Sequence, residues 1–231
     1  MEKQRFGSRF AAVANRRLGL RRTIPCALIA FLSLRASSAP IRVEAAPNGG
    51  NQNLEKATFA GGCFWCVQAA FDKLPGVVST TVGYTGGHTD HPTYEQVCSE
   101  TTGHQESTEI IFDPSKITYQ QLLDAFWHNI DPLNGAGQFC DIGDSYRSVI
   151  FYHNQEQKRL AAASKTKFEA DPEFKNRVAT EIERAGTFWP AEEYHQKYYK
   201  KNPIRYKFYR YNCGRDQRLR QVWGSEAGGG D

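Results

Sequence analysis

The 231-residue chain has no phosphate-cradling P-loop, no glycine-rich dinucleotide fingerprint and no flavin motif. Direct use of a nucleotide cofactor therefore finds no support in it. Its apolar run from Ile24 to Leu34 is shorter than the roughly 20 residues that a membrane-spanning helix needs. Only one pair of cysteines is closely spaced, Cys63 and Cys66, so a zinc site built from two such pairs is missing. His88, His91 and His104 remain as other conceivable ligands. There is no internal repeat or low-complexity tract after the N-terminal region. A basic surplus is also lacking where it would matter. The net charge of +4 conceals a balance of +7 in residues 1–46, from nine basic and two acidic residues. The remaining 20 basic and 23 acidic residues give −3. Nucleic-acid binding by the folded part is not expected.

With 40% hydrophobic and 23% charged residues, the chain reads as globular, and its length suits one core. Residues 1–46 resemble a targeting segment. Arg16, Arg17, Arg21 and Arg22 precede the apolar run, and small residues follow at Ala36 to Ala39 and at Ala45-Ala46. Export is the expectation. An organellar transit peptide or a cytoplasmic extension are the alternatives. Residues 47–53 read as a linker, 54–224 as the domain and 225–231 as a flexible tail.

Within the domain, strand patterns fall at Ala57–Ala60, Val77–Tyr84, Ser107–Phe112 and Ser148–Tyr152. Helical patterns cover Cys63–Lys73, Thr118–Asn129 and Gln155–Glu169, and Leu122, Leu123, Phe126 and Trp127 are spaced for one buried face. The order β-α-β-β-α-β predicts an α+β fold, a split βαβ (ferredoxin-like) two-layer sandwich. Its antiparallel sheet should be covered by helices on one face and followed by an irregular C-terminal segment.

Gly61-Gly62-Cys63-Phe64-Trp65-Cys66 joins the first strand to the first helix. The glycines permit a tight turn, which places Cys63 in the first helical turn. Unpaired N–H groups there favour a thiolate, so a low-pKa, reactive Cys63 is expected. Two bulky aromatics beside it suggest a pocket for an apolar group. The remaining cysteines are Cys26, Cys98, Cys140 and Cys213, and removing Cys26 with a signal leaves an odd number. A structural disulfide or a metal site explains the Cys63/Cys66 pair less fully than redox or nucleophilic catalysis does.

Beyond this hexapeptide, the chain has Pro92 to Cys98, Thr102 to Glu106, Gln138 to Gly143, Ser145 to Ser148 and Ala191 to Tyr199. In sequence and order these blocks resemble the peptide methionine sulfoxide reductase A family, from about residue 57 to 202. The resemblance implies thiol-dependent reduction of methionine-S-sulfoxide, free or in proteins. Cys63 would be the nucleophile that becomes a sulfenic acid, and Phe64 and Trp65 the wall receiving the methyl group. Glu106 would be the acid that protonates the oxide, with Tyr94 and Tyr146 donating hydrogen bonds to it and Asp141 ordering polar groups nearby. Taken singly, Glu106 reads as an exposed strand-edge charge, the tyrosines as amphipathic core residues and Asp141 as a turn residue. His195 reads as a solvated helix residue or an outer group of the site.

The chain departs from the commonest family pattern at Cys66, where glycine is frequent, and in lacking the glycine-rich tail with its resolving cysteine. Cys66 and Cys213 are equal candidates for resolving the sulfenic acid, Cys140 a possible relay, and Cys98 a small buried apolar residue. No bound cofactor or metal is implied. Electrons would come from thioredoxin or a thioredoxin-like dithiol, to a monomer without a stable membrane span. The competing class is a thiol–disulfide oxidoreductase or a metal-binding module using the Cys63/Cys66 pair. If residues 1–46 direct export, mass spectrometry of the mature protein should find an N-terminus downstream of Ala36. An intact Met1 or Glu2 would refute cleavage.

Overall fold

The computed structural model describes residues 53–228. The expected targeting segment and nearly all of the linker lie outside the described residues. In chain order the elements are β1 (Glu55–Gly61), α1 (Phe64–Phe71), β2 (Val77–Thr85), α2 (Tyr94–Cys98), β3 (Gln105–Phe112), α3 (Tyr119–Trp127), β4 (Gly137–Gln138), β5 (Asp141–Ile142) and β6 (Ser148–Tyr152). These are followed by α4 (Gln155–Glu169), β7 (Glu181–Arg184), β8 (Trp189–Pro190), α5 (Tyr198–Lys201), α6 (Pro203–Asn212) and α7 (Arg215–Trp223).

The main sheet has the order β7-β6-β1-β3-β2-β8. Each of its four central strands runs antiparallel to its neighbours, and the β1–α1–β2 crossover is split by β3. That is the predicted split βαβ arrangement. The expectation of a wholly antiparallel sheet needs correction, because β7 joins β6 in parallel. Ala57 and Phe59 of β1, Ile110 and Phe112 of β3 and Ile150 of β6 form one buried layer. Val67 and Phe71 of α1, Leu122, Leu123, Phe126 and Trp127 of α3, and Leu219 and Trp223 of α7 pack with them. Each buried Val, Leu, Ile or Phe side chain among them contributes about 1.5–3 kcal/mol of transfer free energy. The helix starts are capped as their sequences dictate. Thr118 and Gln121 make a reciprocal capping box before α3, and Thr93 and Gln96 do the same before α2.

The C-terminal segment is not irregular. It forms helices α5, α6 and α7, which fold back beside the start of α1. Lys197 holds this return in place, its Nζ lying 2.5 Å from Asp72 Oδ1 while its backbone N–H donates to Gln68 Oε1 at 2.7 Å. Arg215, at the start of α7, is buried and donates to the carbonyls of Gly61 and Asn129 at 3.2 and 2.7 Å. Its charge also lies over the Phe139 ring. The chain stays tied past the expected boundary at Gly224. Residues Gly224–Glu226 make a 3-10 turn, and the Gly228 N–H donates to the His128 carbonyl at 2.7 Å.

Candidate active site

The turn between β1 and α1 fixes the site. Gly62 has φ +75°, and a Cβ there would lie 2.5 Å from Cβ of Gln138, so only glycine fits. Gln138 itself is buried and bonded on both sides to the backbone of Asp131. Cys63 then occupies the N-cap of α1 rather than a position inside its first turn, and its side chain caps nothing. The first N–H of the helix, that of Phe64, is taken instead by Glu106, with Oε2 at 2.9 Å.

Cys63, Phe64, Trp65, Tyr94, Glu106, Asp141 and Tyr146 line one small cavity together with Tyr209. All the residues expected to act on substrate are thus brought together from five separate segments, and Tyr209 adds a sixth. Glu106 is the second residue of β3, Tyr94 opens α2, Asp141 lies in β5 and Tyr146 ends a 3-10 turn. Glu106 is 3% exposed, which excludes the reading of it as a strand-edge charge. His195 is 1% exposed, so it is no solvated helix residue. Its Nδ1 accepts the Trp65 indole N–H at 3.1 Å, and its ring packs against Phe64 and Tyr94. Trp65 stacks on Tyr198 at 3.8 Å, which fixes the plane of the indole.

Tyr209 is a site residue that the sequence reading missed. Its hydroxyl donates to Asp141 Oδ2 at 2.5 Å, and its ring meets Trp65 edge-on. Its signal was weak. Tyr206, Tyr209 and Arg210 follow helical spacing, but the apolar positions of the same stretch, Ile204, Phe208 and Tyr211, lie on its exposed face.

The electrostatics depart from expectation at Cys63. Burial pushes its thiol well above the ordinary value, and the hydrogen bond to Cys66 and the charges of Cys66, Glu106 and Asp141 act in the same direction. A helix N-terminus whose first N–H is occupied by a carboxylate does not offset this. Cys66 carries the lowered thiol, at about 6. The bond from Cys63 lowers it, burial opposes, and Arg215, Arg210 and the Tyr206 hydroxyl favour the anion further. The pair holds one proton, donated by Cys63 to Cys66. Burial raises Glu106 to about 8 against the Phe64 N–H bond, and it raises the Asp141 carboxyl as well.

Cys140 and Cys213 are joined in a disulfide. Cys98 is exposed rather than buried, because Val97 alone of the short α2 faces inward. Its thiol bonds Tyr94 and Tyr146.

The family described as peptide methionine sulfoxide reductase matches residues 55–227. This chain belongs to that family. The peptide methionine sulfoxide reductase MsrA of Bacillus licheniformis is 55% identical over 170 residues, 74% of this chain and 94% of that protein. The MsrA of Bacillus subtilis is 51% identical over 176 residues, 76% of this chain and 99% of that protein. Among solved structures, the reduced form of Mxr1 from Saccharomyces cerevisiae has a TM-score of 0.62 at 34% identity. It covers 65% of this chain and 87% of that one. Methionine sulfoxide reductase A of Corynebacterium diphtheriae has a TM-score of 0.59 at 32% identity, covering 67% of this chain and 78% of that one.

The Glu106 environment in this reductase has a thermodynamic consequence. Its carboxyl titrates at about 8 in the folded chain against an ordinary 4.5. Between those values the folded state binds more protons than the unfolded state, so this group's contribution to stability falls as pH rises and is flat above about 8. Denaturant unfolding of wild type and Glu106→Gln should show the variant gaining on wild type from about pH 5 to about pH 8. A pH-independent difference would contradict the raised carboxyl.

Proposed function

We infer that this chain reduces methionine sulfoxide, free or within proteins, to methionine with its own thiols and so repairs oxidised proteins. The observation that carries this reading is the single cavity shared by Cys63, Glu106 and the Phe64 and Trp65 rings. Methionine sulfoxide has an apolar methyl, a polar oxide and an electrophilic sulfur. Phe64 and Trp65 receive the methyl, and the His195 bond and the Tyr198 stack hold the indole in place. Tyr94 and Tyr146 donate to the oxide. Both phenols are raised by burial, so each retains its proton at neutral pH.

Cys63 attacks the sulfoxide sulfur while its proton passes along the existing hydrogen bond to Cys66. Glu106, protonated below about pH 8, gives its proton to the oxide oxygen. The oxygen passes to Cys63 as a sulfenic hydroxyl and methionine leaves. Cys66 then attacks the Cys63 sulfur, expelling water and closing a Cys63–Cys66 disulfide. Cys66 is favoured over Cys213 for this step, because it already contacts Cys63 whereas Cys213 is bonded to Cys140. Asp141 orders Tyr209 at the cavity wall. By resemblance the substrate is the S epimer, and the electron donor is thioredoxin or a thioredoxin-like dithiol. If residues 1–46 direct export, that dithiol carrier works outside the cytoplasm, and the monomer suffices for every step described.

Methionine release in a single turnover tests this assignment. Cys63→Ser should release none, and Glu106→Gln should slow release by roughly 100-fold or more. The wild-type rate should rise through about pH 6 as Cys66 ionises and fall through about pH 8 as Glu106 loses its proton. Glu106→Gln should lose the upper limb alone. Release by Cys63→Ser would overturn the mechanism.

A further inference from the structure

We propose that the reduced protein holds a soft divalent cation, zinc or an ion of similar chemistry, between the Cys140 and Cys213 thiolates and the Asp141 carboxylate. The proposal goes beyond the reductase reading and does not depend on it.

Among the described residues these are the one set of three ligand-bearing side chains brought close together, with one atom from each lying within 4.8 Å of the others. Zinc bonds sulfur at about 2.3 Å and carboxylate oxygen at about 2.0–2.2 Å in a tetrahedron. The edges of that shell are then about 3.6 Å from sulfur to oxygen and about 3.8 Å from sulfur to sulfur. Asp141 Oδ1 lies 3.7 Å from Cys140 Sγ, and its Oδ2 lies 3.9 Å from Cys213 Sγ. The carboxylate already stands at shell distance from both sulfurs. Reduction frees the two sulfurs to take up the remaining edge. Gly214 follows Cys213 with φ +67° and no atom within 4 Å of a would-be Cβ, so no packing opposes adjustment of the chain there.

The surroundings suit charged ligands. The Cys140 N–H donates to Cys213 Sγ at 3.2 Å, a bond that a thiolate accepts more strongly than a neutral sulfur. The Tyr209 hydroxyl donates to Asp141 Oδ2 at 2.5 Å, and an outer bond of this kind orients a ligating carboxylate. Two thiolates and a carboxylate exceed the charge of a dication by one, and the Arg215 charge acts on Asp141 from nearby. Thiolates select zinc over magnesium or calcium, which take oxygen ligands. Cys140 is exposed while Asp141 and Cys213 are half-buried, so the ion has an entry path and water can fill the fourth position.

Binding exchanges the two thiol protons for the ion, and no electron moves. A dithiol that opens the Cys140–Cys213 bond becomes a disulfide itself and leaves both thiols to the site. The ion then restores the tie that reduction removes, between the start of β5 and the α6–α7 junction, 73 residues apart in the chain.

Full-length protein, reduced with a phosphine and desalted without air, should bind one equivalent of cobalt(II). The complex should show the visible spectrum of a tetrahedral ion and a near-ultraviolet thiolate band, and zinc should displace the cobalt. Cys140→Ser and Cys213→Ser should each weaken binding by roughly 100-fold or more, beyond the usual effect of losing an outer partner. Asp141→Asn should weaken it and keep the thiolate band. Cys66→Ser should bind as wild type does. Wild-type affinity and band in Cys140→Ser or Cys213→Ser, or their loss in Cys66→Ser, would overturn the site. A reading on wild type alone guards against a variant that does not fold. Zinc should protect Cys140 and Cys213 of the reduced protein from alkylation and leave the exposed Cys98 reactive. Equal alkylation of Cys140 and Cys213 with and without zinc would overturn the proposal.

Discussion

The bond from the Phe64 N–H to the Glu106 carboxyl holds the site together. It ties the first turn of α1 to the start of β3, where Glu106 pairs with Tyr84 of β2. It also decides how the helix terminus is used. The partial positive charge that could have stabilised a thiolate at Cys63 acts on a carboxyl instead, and burial still leaves that carboxyl at about 8. A carboxylic acid with that value is protonated at neutral pH and suited to donating to an oxide. Were it ionised, it would stand as a second negative charge beside the sulfur that must attack.

The negative charge of the resting site therefore moves one helical turn inward, to Cys66. Arg215 and Arg210 come from the C-terminal helices, so the fold return that closes the domain also supplies the field that favours a thiolate. Arg215 does this while bonded to the Gly61 carbonyl at the end of β1, which makes the turn before Cys63 and the charge behind Cys66 one structure. The aromatic wall is held in the same way. Trp65 is fixed from the C-terminal side, by His195 and Tyr198, and not by its neighbours in sequence.

The four central strands and the helices α1, α3 and α4 were legible because their apolar residues follow the periods of a sheet and of one-sided helices. Leu122, Leu123, Phe126 and Trp127 are the clearest case. The cavity residues were legible through family resemblance, since no local pattern distinguishes a buried Glu106 from a surface one. The C-terminal helices were not legible for a physical reason. Helix α6 turns Ile204, Phe208 and Tyr211 outward and buries Tyr206 and Arg210, so its apolar spacing points away from the core. In α7, by contrast, Leu219 and Trp223 follow the ordinary rule and pack into the core. Cys98 was misplaced because a five-residue helix has one inward position, and Val97 takes it. Beyond the bond from Cys63 itself, the groups that favour an anion at Cys66 are Tyr206, Arg210 and Arg215, 140 or more positions later in the chain and beyond the reach of any local pattern.

The central claim is that Cys63 takes the oxygen and becomes a sulfenic acid. It is tested most directly by trapping that acid. Cys66→Ser protein, with its Cys140–Cys213 bond intact, is given one equivalent of methionine sulfoxide and a carbon nucleophile that labels sulfenic acids. Peptide mapping should find the label on Cys63, in step with the methionine released. Methionine released with Cys63 unlabelled and the label on another cysteine would contradict the account.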